Sequence, residues 1–434
     1  MVLIVMTQYL VKSLNDNDIK VRVPGSKSIT NRALLIAALA DGRSLIKGTL
    51  RSDDSIHFLN SLISLGFEIN ETDEGIYIMG NGGDIPVRSG TIDVGSAGTA
   101  ARFLTAMLAL SDGVYTVNAS PQMCRRPMSE LLEVLEGLGA SFEYLGEPYS
   151  LPFRVTGRCN PALNNINMEE YSVSVSIDSS SQYLSALLMN APMLKGRLKV
   201  RLTGKRKAKA YVAITEKIME SFGINIENPS ENEYVVPAAG SSGREYMCEP
   251  DVSAACYFYA MAAITGREAV VYDVYRTSMQ GDIRFLDILE SMGCEVYDTP
   301  DGAAVRGTGK LNGIEVDMSD CSDQTMTLAA IAPYASSKVT IRGVAHIRGQ
   351  ESDRLAAIAD ALERMGIDTR EYEDGIRITP GKPQSAHIHT FEDHRMAMAF
   401  AVTGLIAEGI IIDDPECCAK TFPDYFRILD SITH

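Results

Sequence analysis

Positive charge, paired cysteine spacings and apolar runs long enough to span a bilayer are all scarce in this sequence, and each scarcity closes a class of function. Lys and Arg number 40 against 56 Asp and Glu, a formal net charge of −16, which argues against nucleic acid as a partner. Small anionic ligands stay open, because exposed charges are largely screened beyond about 8 Å and a local basic pocket keeps its own field. The eight cysteines fall at irregular intervals, with Cys417 and Cys418 adjacent. They make neither a disulfide framework nor a CxxC metal site, a usage that suits a reducing cytoplasm. The opening "MVLIVMTQYL" is apolar, but it lacks a basic n-region and is far too short to cross a bilayer. It reads as a first strand of a soluble, cytoplasmic protein without a membrane partner. The one dense basic patch, "GKRKAKAY" from Gly204 to Tyr211, reads equally well by itself as a solvated loop.

What the chain does have is repetition. At 434 residues and 45% hydrophobic content it can bury more than one core, so two or three domains are expected. "FLNSLISLGFEIN", "LLEVLEGLGASFEY", "ITEKIMESFGINIE", "FLDILESMGCEVYD" and "IADALERMGIDTRE" each read as an amphipathic helix stopped by a glycine and followed by a short strand. The stops are Gly66, Gly139, Gly223, Gly293 and Gly366, and a sixth copy begins at "FPDYFRILDSITH". Between them stand runs rich in Ala, Leu and Met: "NRALLIAALA", "AARFLTAMLAL", "SQYLSALLMNA", "SAACYFYAMAAI", "QTMTLAAIAPYA" and "HRMAMAFAVTGLIA". A helix without a polar face must be buried. Strand-like segments follow each, among them "SLIKGTL", "VYTVNA", "RLKVRLTG" and "KVTIRGV". The expected class is therefore α/β, two similar domains of three units each. The weakest seams lie near "RVPGS" (Arg22 to Ser26) and "AAGSSGREYM" (Ala238 to Met247).

The start of each buried helix carries the same chemistry. These starts hold Ser26-Lys27-Ser28, "GSAGTAAR", "DSSSQ", "DVSAA", "CSDQT" and "EDHR". Ser, Thr and Asp suit N-caps, but no cap calls for Lys27, Arg102, Gln182 or His394-Arg395. Helix N-termini offer free N–H groups and about half a positive charge, so they are ready anion sites. The surface helices add Arg125-Arg126-Pro127, "GQESDRL" and "AKTFPDY", and arginine forks fit carboxylate and phosphate. Taken alone, Glu351 and Arg354 are a routine i,i+3 helix pair, Asp323 a cap and His394 a structural histidine. Their shared place at helix mouths favours a site for small polyanions, with the mouths converging on one cleft.

"PGSKSITNRALL", "GSAGTAAR", "RRPM", "DSSSQYLSALLM", "SMQGDIRF", "QESDRL", "EDHRMAMAF" and "CCAKTFPDYF" together resemble the 5-enolpyruvylshikimate-3-phosphate synthase family, over nearly the whole chain from Pro24. The resemblance implies two domains of three βαβαββ units with buried parallel helices, an inside-out barrel. Residues 1–23 with 245–434 would form one domain and 24–244 an inserted one, with the active site between them. It implies transfer of the enolpyruvyl group of phosphoenolpyruvate to the 5-hydroxyl of shikimate 3-phosphate, by addition and then elimination, in a monomer with no metal or organic cofactor. By motif position Asp323 takes the hydroxyl proton, Glu351 protonates the methylene carbon, and Lys27 supports proton transfer. Phosphoenolpyruvate would be held by Lys27, Gly98, Arg126, Gln182, Arg354, Arg395 and Lys420. Shikimate 3-phosphate would be held by Lys27, Ser28, Arg32, Ser180, Ser181, Gln182, Tyr211, Asp323, His346 and Gln350.

The chain departs from the family pattern at Ser96, usually Asn, at Ala208, usually Ser, and at His346 and Gln350, usually Asn and Lys. An alternative is the sister transferase that uses UDP-N-acetylglucosamine. That family has a reactive cysteine five residues before the Arg-Pro, where this chain has Pro121. A non-catalytic anion-binding repeat protein is a second alternative, but it has no use for Asp323 and Glu351 beside the cations.

Overall fold

Six helices with little or no polar face form where the Ala-, Leu- and Met-rich runs stand: α1 (Lys27–Leu39), α2 (Gly98–Ala109), α3 (Gln182–Asn190), α4 (Val252–Thr265), α5 (Thr325–Ile331) and α6 (His394–Thr403). This computed structural model describes residues 7–15, 17–158, 168–205 and 209–434, so residues 1–6 of the opening run and Ala208 lie outside it. Small and straight-chain residues favour the helix, and burial then fixes it. Every residue from Ile29 to Leu39 and from Gly98 to Ala109 is buried. Each large aliphatic chain withdrawn from water contributes about 1.5–3 kcal/mol, so these helices are stable only inside a shell. Two run shorter than their apolar sequence suggests. Pro333 lacks the N–H that would continue α5, which tightens into a 3-10 turn over Ala332–Tyr334, and α6 stops at Thr403 before Gly404.

The shell is made of six sheets among the described residues, five of four strands and one of three. One shows the plan. Ser89–Asp93 lies parallel to Val114–Asn118 with α2 as the crossover, and Phe153–Thr156 and Ser141–Tyr144 follow antiparallel. A surface helix, Ser129–Gly137, links the halves and buries Leu131, Leu132 and Leu135. This is a βαβαββ unit. The surface helices end as expected: Gly66, Gly139, Gly223, Gly293 and Gly366 all take φ between 75° and 101°, the left-handed stop.

The chain forms two compact units, one of Gly25–Cys248 and one combining Glu249–His434 with the residues up to Pro24. In the first, α1, α2 and α3 pack on one another; in the second, α4, α5 and α6 do. Three sheets surround each helix trio, and three of the six are completed by distant segments. Glu245–Met247 lies parallel to Asp41–Lys47, Ile19–Val21 parallel to Glu268–Val271, and Gln8–Leu10 antiparallel to Ile410–Asp413. The first segment thus pairs with the C-terminal half. Among the described residues no helix is long and apolar enough to cross a membrane.

Candidate active site

In the Gly25–Cys248 unit, the mouth of α1 brings several expected residues together. Ser26 occupies the cap position without a side-chain cap bond. Lys27 Nζ lies 3.2 Å from Asp54 Oδ2, a carboxylate buried in the first turn of the helix Asp53–Ser64. Arg32, one turn further in and 1% exposed, turns its donors inward. Its Nε donates to Thr215 Oγ1 at 2.7 Å, Nη1 to the Ser28 carbonyl at 2.9 Å, and Nη2 to Ser185 Oγ at 3.2 Å and the Tyr211 carbonyl at 3.4 Å. Burial lowers its pKa to about 10, which leaves it charged at neutral pH. Arg32 is thus a strut that ties Ser28 to Tyr211.

At the mouth of α2 a side chain at position 98 would collide with two guanidinium groups. A Cβ on Gly98 would stand 2.7 Å from Arg102 Nη1 and 3.0 and 3.1 Å from the Nη atoms of Arg126. Glycine therefore admits both cations over the helix start. Ser96 is bonded to Ser120, Oγ to Oγ at 2.7 Å. At the mouth of α3 the backbone N–H of Gln182 donates to Ser180 Oγ at 3.3 Å, Ser181 is buried, and the side-chain Oε1 of Gln182 is buried without a hydrogen bond.

In the other unit Arg354 is the hub. Its Nε donates to Asp393 Oδ2 at 2.8 Å and its Nη2 to Asp393 Oδ1 at 3.2 Å. Nη1 reaches Asp323 Oδ1 at 3.1 Å and also Gln350 Oε1, while Nη2 reaches Glu351 Oε2 at 3.0 Å. Asp323 Oδ2 accepts from Arg395 Nη2 at 2.8 Å. Burial works against the Arg354 charge, but Asp393, Glu351 and Asp323 outweigh it and hold the pKa above the ordinary arginine value. His346 Nε2 is 2.9 Å from Ser322 Oγ, one residue before Asp323. Arg395 and Lys420 are buried. The two expected proton carriers therefore share one guanidinium, on opposite nitrogens, and two cations flank Asp323 directly.

Capping explains the polar residues at only some mouths. Asp251 accepts from the Ala254 amide at α4, and Asp393 from the Arg395 amide at α6, each at 3.0 Å. At α1, α2, α3 and α5 the cap-position residue makes no side-chain cap bond. Three acidic residues outside the sequence-derived site complete the arrays. Asp54 holds Lys27. Asp393 holds Arg354, and its signal was the "EDHR" mouth itself. Asp282 lies in "SMQGDIRF"; burial and the nearby Asp323 raise its pKa to about 6 against the pull of Arg395. No local pattern marks Asp54, because its partner is far away in sequence.

Two arrays of arginine and lysine at helix mouths, with buried carboxylates among them, suit small polyanions and proton transfer. The EPSP synthase (3-phosphoshikimate 1-carboxyvinyltransferase) family model matches residues 12–429. A 3-phosphoshikimate 1-carboxyvinyltransferase of Trichormus variabilis is 43% identical over 412 residues, covering 94% of this chain and 95% of its own. One from a Nostoc species matches to the same extent. A solved EPSP synthase from Acinetobacter baumannii superposes with a TM-score of 0.80 at 25% identity, covering 98% of both chains. The chain belongs to the EPSP synthase family, the transferases of the shikimate pathway that move an enolpyruvyl group from phosphoenolpyruvate to shikimate 3-phosphate.

Proposed function

We propose that this chain joins the C2 carbon of phosphoenolpyruvate to the 5-hydroxyl oxygen of shikimate 3-phosphate in the cytoplasm, with the residues named from its sequence as the working groups. In the addition step the hydroxyl oxygen bonds to C2, Asp323 takes the hydroxyl proton, and Glu351 gives a proton to the methylene carbon. In the elimination step that carbon returns a proton to Glu351, the C2–O bond to phosphate breaks, the double bond re-forms, and the phosphate departs with the proton that Asp323 had taken from the hydroxyl. Such acid–base steps each contribute about 10²–10⁴-fold. Lys27, Arg126, Arg354, Arg395 and Lys420 would hold the phosphate and carboxylate of phosphoenolpyruvate, with Gln182 and the Gly98 backbone beside them. Ser28, Ser180, Ser181, Gln182, His346 and Gln350 would hold shikimate 3-phosphate, and Arg32 would act through Ser28 and Tyr211.

The observation that carries this reading is the shared guanidinium. Arg354 holds Asp323 at 3.1 Å and Glu351 at 3.0 Å, so the two carboxylates proposed as base and acid lie beside one cation that an anionic substrate can engage. An incoming carboxylate or phosphate competes for that cation and frees Glu351 from its ion pair, so that it can carry the proton. Fixed charges of this kind, in place before the reaction, are effective because they need no reorganisation.

The test is Glu351→Gln, which keeps the shape and the hydrogen bond to Arg354 but removes the proton exchange. It should bind both substrates in calorimetric titration and lose about 10²–10⁴-fold in kcat. A rate near that of the wild type would remove Glu351 from the acid role.

A further inference from the structure

Asp282 is buried at 4% exposure in the 3-10 turn Gly281–Arg284. Its Oδ2 accepts from Gln324 Nε2 at 3.0 Å and from the Ser253 hydroxyl at the start of α4. Its Oδ1 is buried without a hydrogen bond. A half-satisfied buried carboxyl is costly, so its place calls for a physical reason. Gln324 supplies one. The far end of its amide, Oε1, accepts from Thr327 Oγ1 at 3.0 Å, so the side chain is fixed at both ends and fully buried. Gln324 and Ser322 flank Asp323 in the short turn Ser322–Gln324 that leads into α5. On the Ser322 side the turn is held by His346 at 2.9 Å; on the Gln324 side it is held by Asp282.

We infer that Asp282 is a positioning residue for the reaction: through Gln324 it fixes the turn that aims the Asp323 carboxylate. The inference rests on the role of Asp323 proposed above. Neither Asp282 nor Gln324 needs to touch substrate, so what they supply is orientation, and a small misplacement of a base is expensive in rate. Burial and the Asp323 charge raise the pKa of the Asp282 carboxyl to about 6. The link to Gln324 needs only an acceptor oxygen, which the carboxyl offers in either protonation state.

The test compares steady-state kinetics of the wild type, Asp282→Ala, Asp282→Asn, Gln324→Met and the double variant Asp282→Ala/Gln324→Met, with shikimate 3-phosphate binding measured for each. Asp282→Ala and Gln324→Met should each lose at least about tenfold in kcat with KM for both substrates nearly unchanged. The double variant should be no slower than either single one, because both break the same link. Asp282→Asn retains an acceptor for Gln324 and should keep most of the rate. Gln324→Met conserves volume, so it decides the matter if Asp282→Ala does not fold. Wild-type kcat in Gln324→Met, multiplicative losses in the double variant, or an Asp282→Asn as slow as Asp282→Ala would overturn the inference. A wild type that does not turn over shikimate 3-phosphate would instead remove the role of Asp323 on which it stands.

Discussion

At the mouth of α6, Asp393 accepts from four donors: Arg354 Nε and Nη2, the Arg395 amide and the Ser352 hydroxyl. Asp393 is 0% exposed and its partner Arg354 1%. Breaking a buried pair outright costs about 3–5 kcal/mol; here Asp323 and Glu351 still face Arg354 and soften that loss, while the lost cap adds about 1 kcal/mol. The exposed pair of Arg427 with Asp424, 76% and 60% open to solvent, contributes little because water screens it. Asp393→Ala should therefore lower the urea midpoint sharply, while Asp424→Ala should hardly move it. Equal midpoints for the two would show that the Arg354 cluster does not support the fold. The same residues show why a motif can be read without its energetics. "EDHR" announces a helix mouth, but the guanidinium that Asp393 neutralises belongs to another helix.

Helix α1 shows how an element delivers a side chain. The chain enters it through Gly25, where a Cβ would stand 1.8 Å from the Gly48 carbonyl oxygen, a distance no real Cβ can occupy. Only glycine lets the entry segment lie against that backbone, and two residues later Lys27 meets Asp54 at 3.2 Å. Gly25→Ala must push the segment off Gly48 and turn the mouth with it. The expected outcome is a loss of about 2 kcal/mol or more in unfolding together with a raised KM for phosphoenolpyruvate. Unchanged kinetics would show that the entry does not set the place of Lys27. The helices themselves were legible in the sequence, because an all-apolar run of ten or more residues has few other fates. Their ends were less so, since Pro333 and local turn geometry trim α5.

Across the whole molecule, the repeat of buried helix, strand, surface helix and strand hairpin was readable from the periodicity and the stop glycines. Which segment completes each sheet was not. The pairings of Gln8–Leu10 with Ile410–Asp413 and of Glu245–Met247 with Asp41–Lys47 join stretches far apart in the chain, and strand pairing at that range leaves no local signature. The same holds for the site. Cations and hydroxyls at helix mouths stood out as a pattern, whereas Asp54 and Asp282 acquire meaning only once folding sets them beside Lys27 and Gln324. The family likeness supplied roles that composition and spacing could not, since a proton donor and a helix cap are the same residue type until their neighbours are known. The most direct test of the central claim, that these helix-mouth charges serve enolpyruvyl transfer to a shikimate acceptor, is phosphate release from phosphoenolpyruvate by the purified protein with each acceptor in turn. Release that depends on shikimate 3-phosphate and is absent with UDP-N-acetylglucosamine is the expected result; release with the UDP-sugar alone, or with neither, would contradict it.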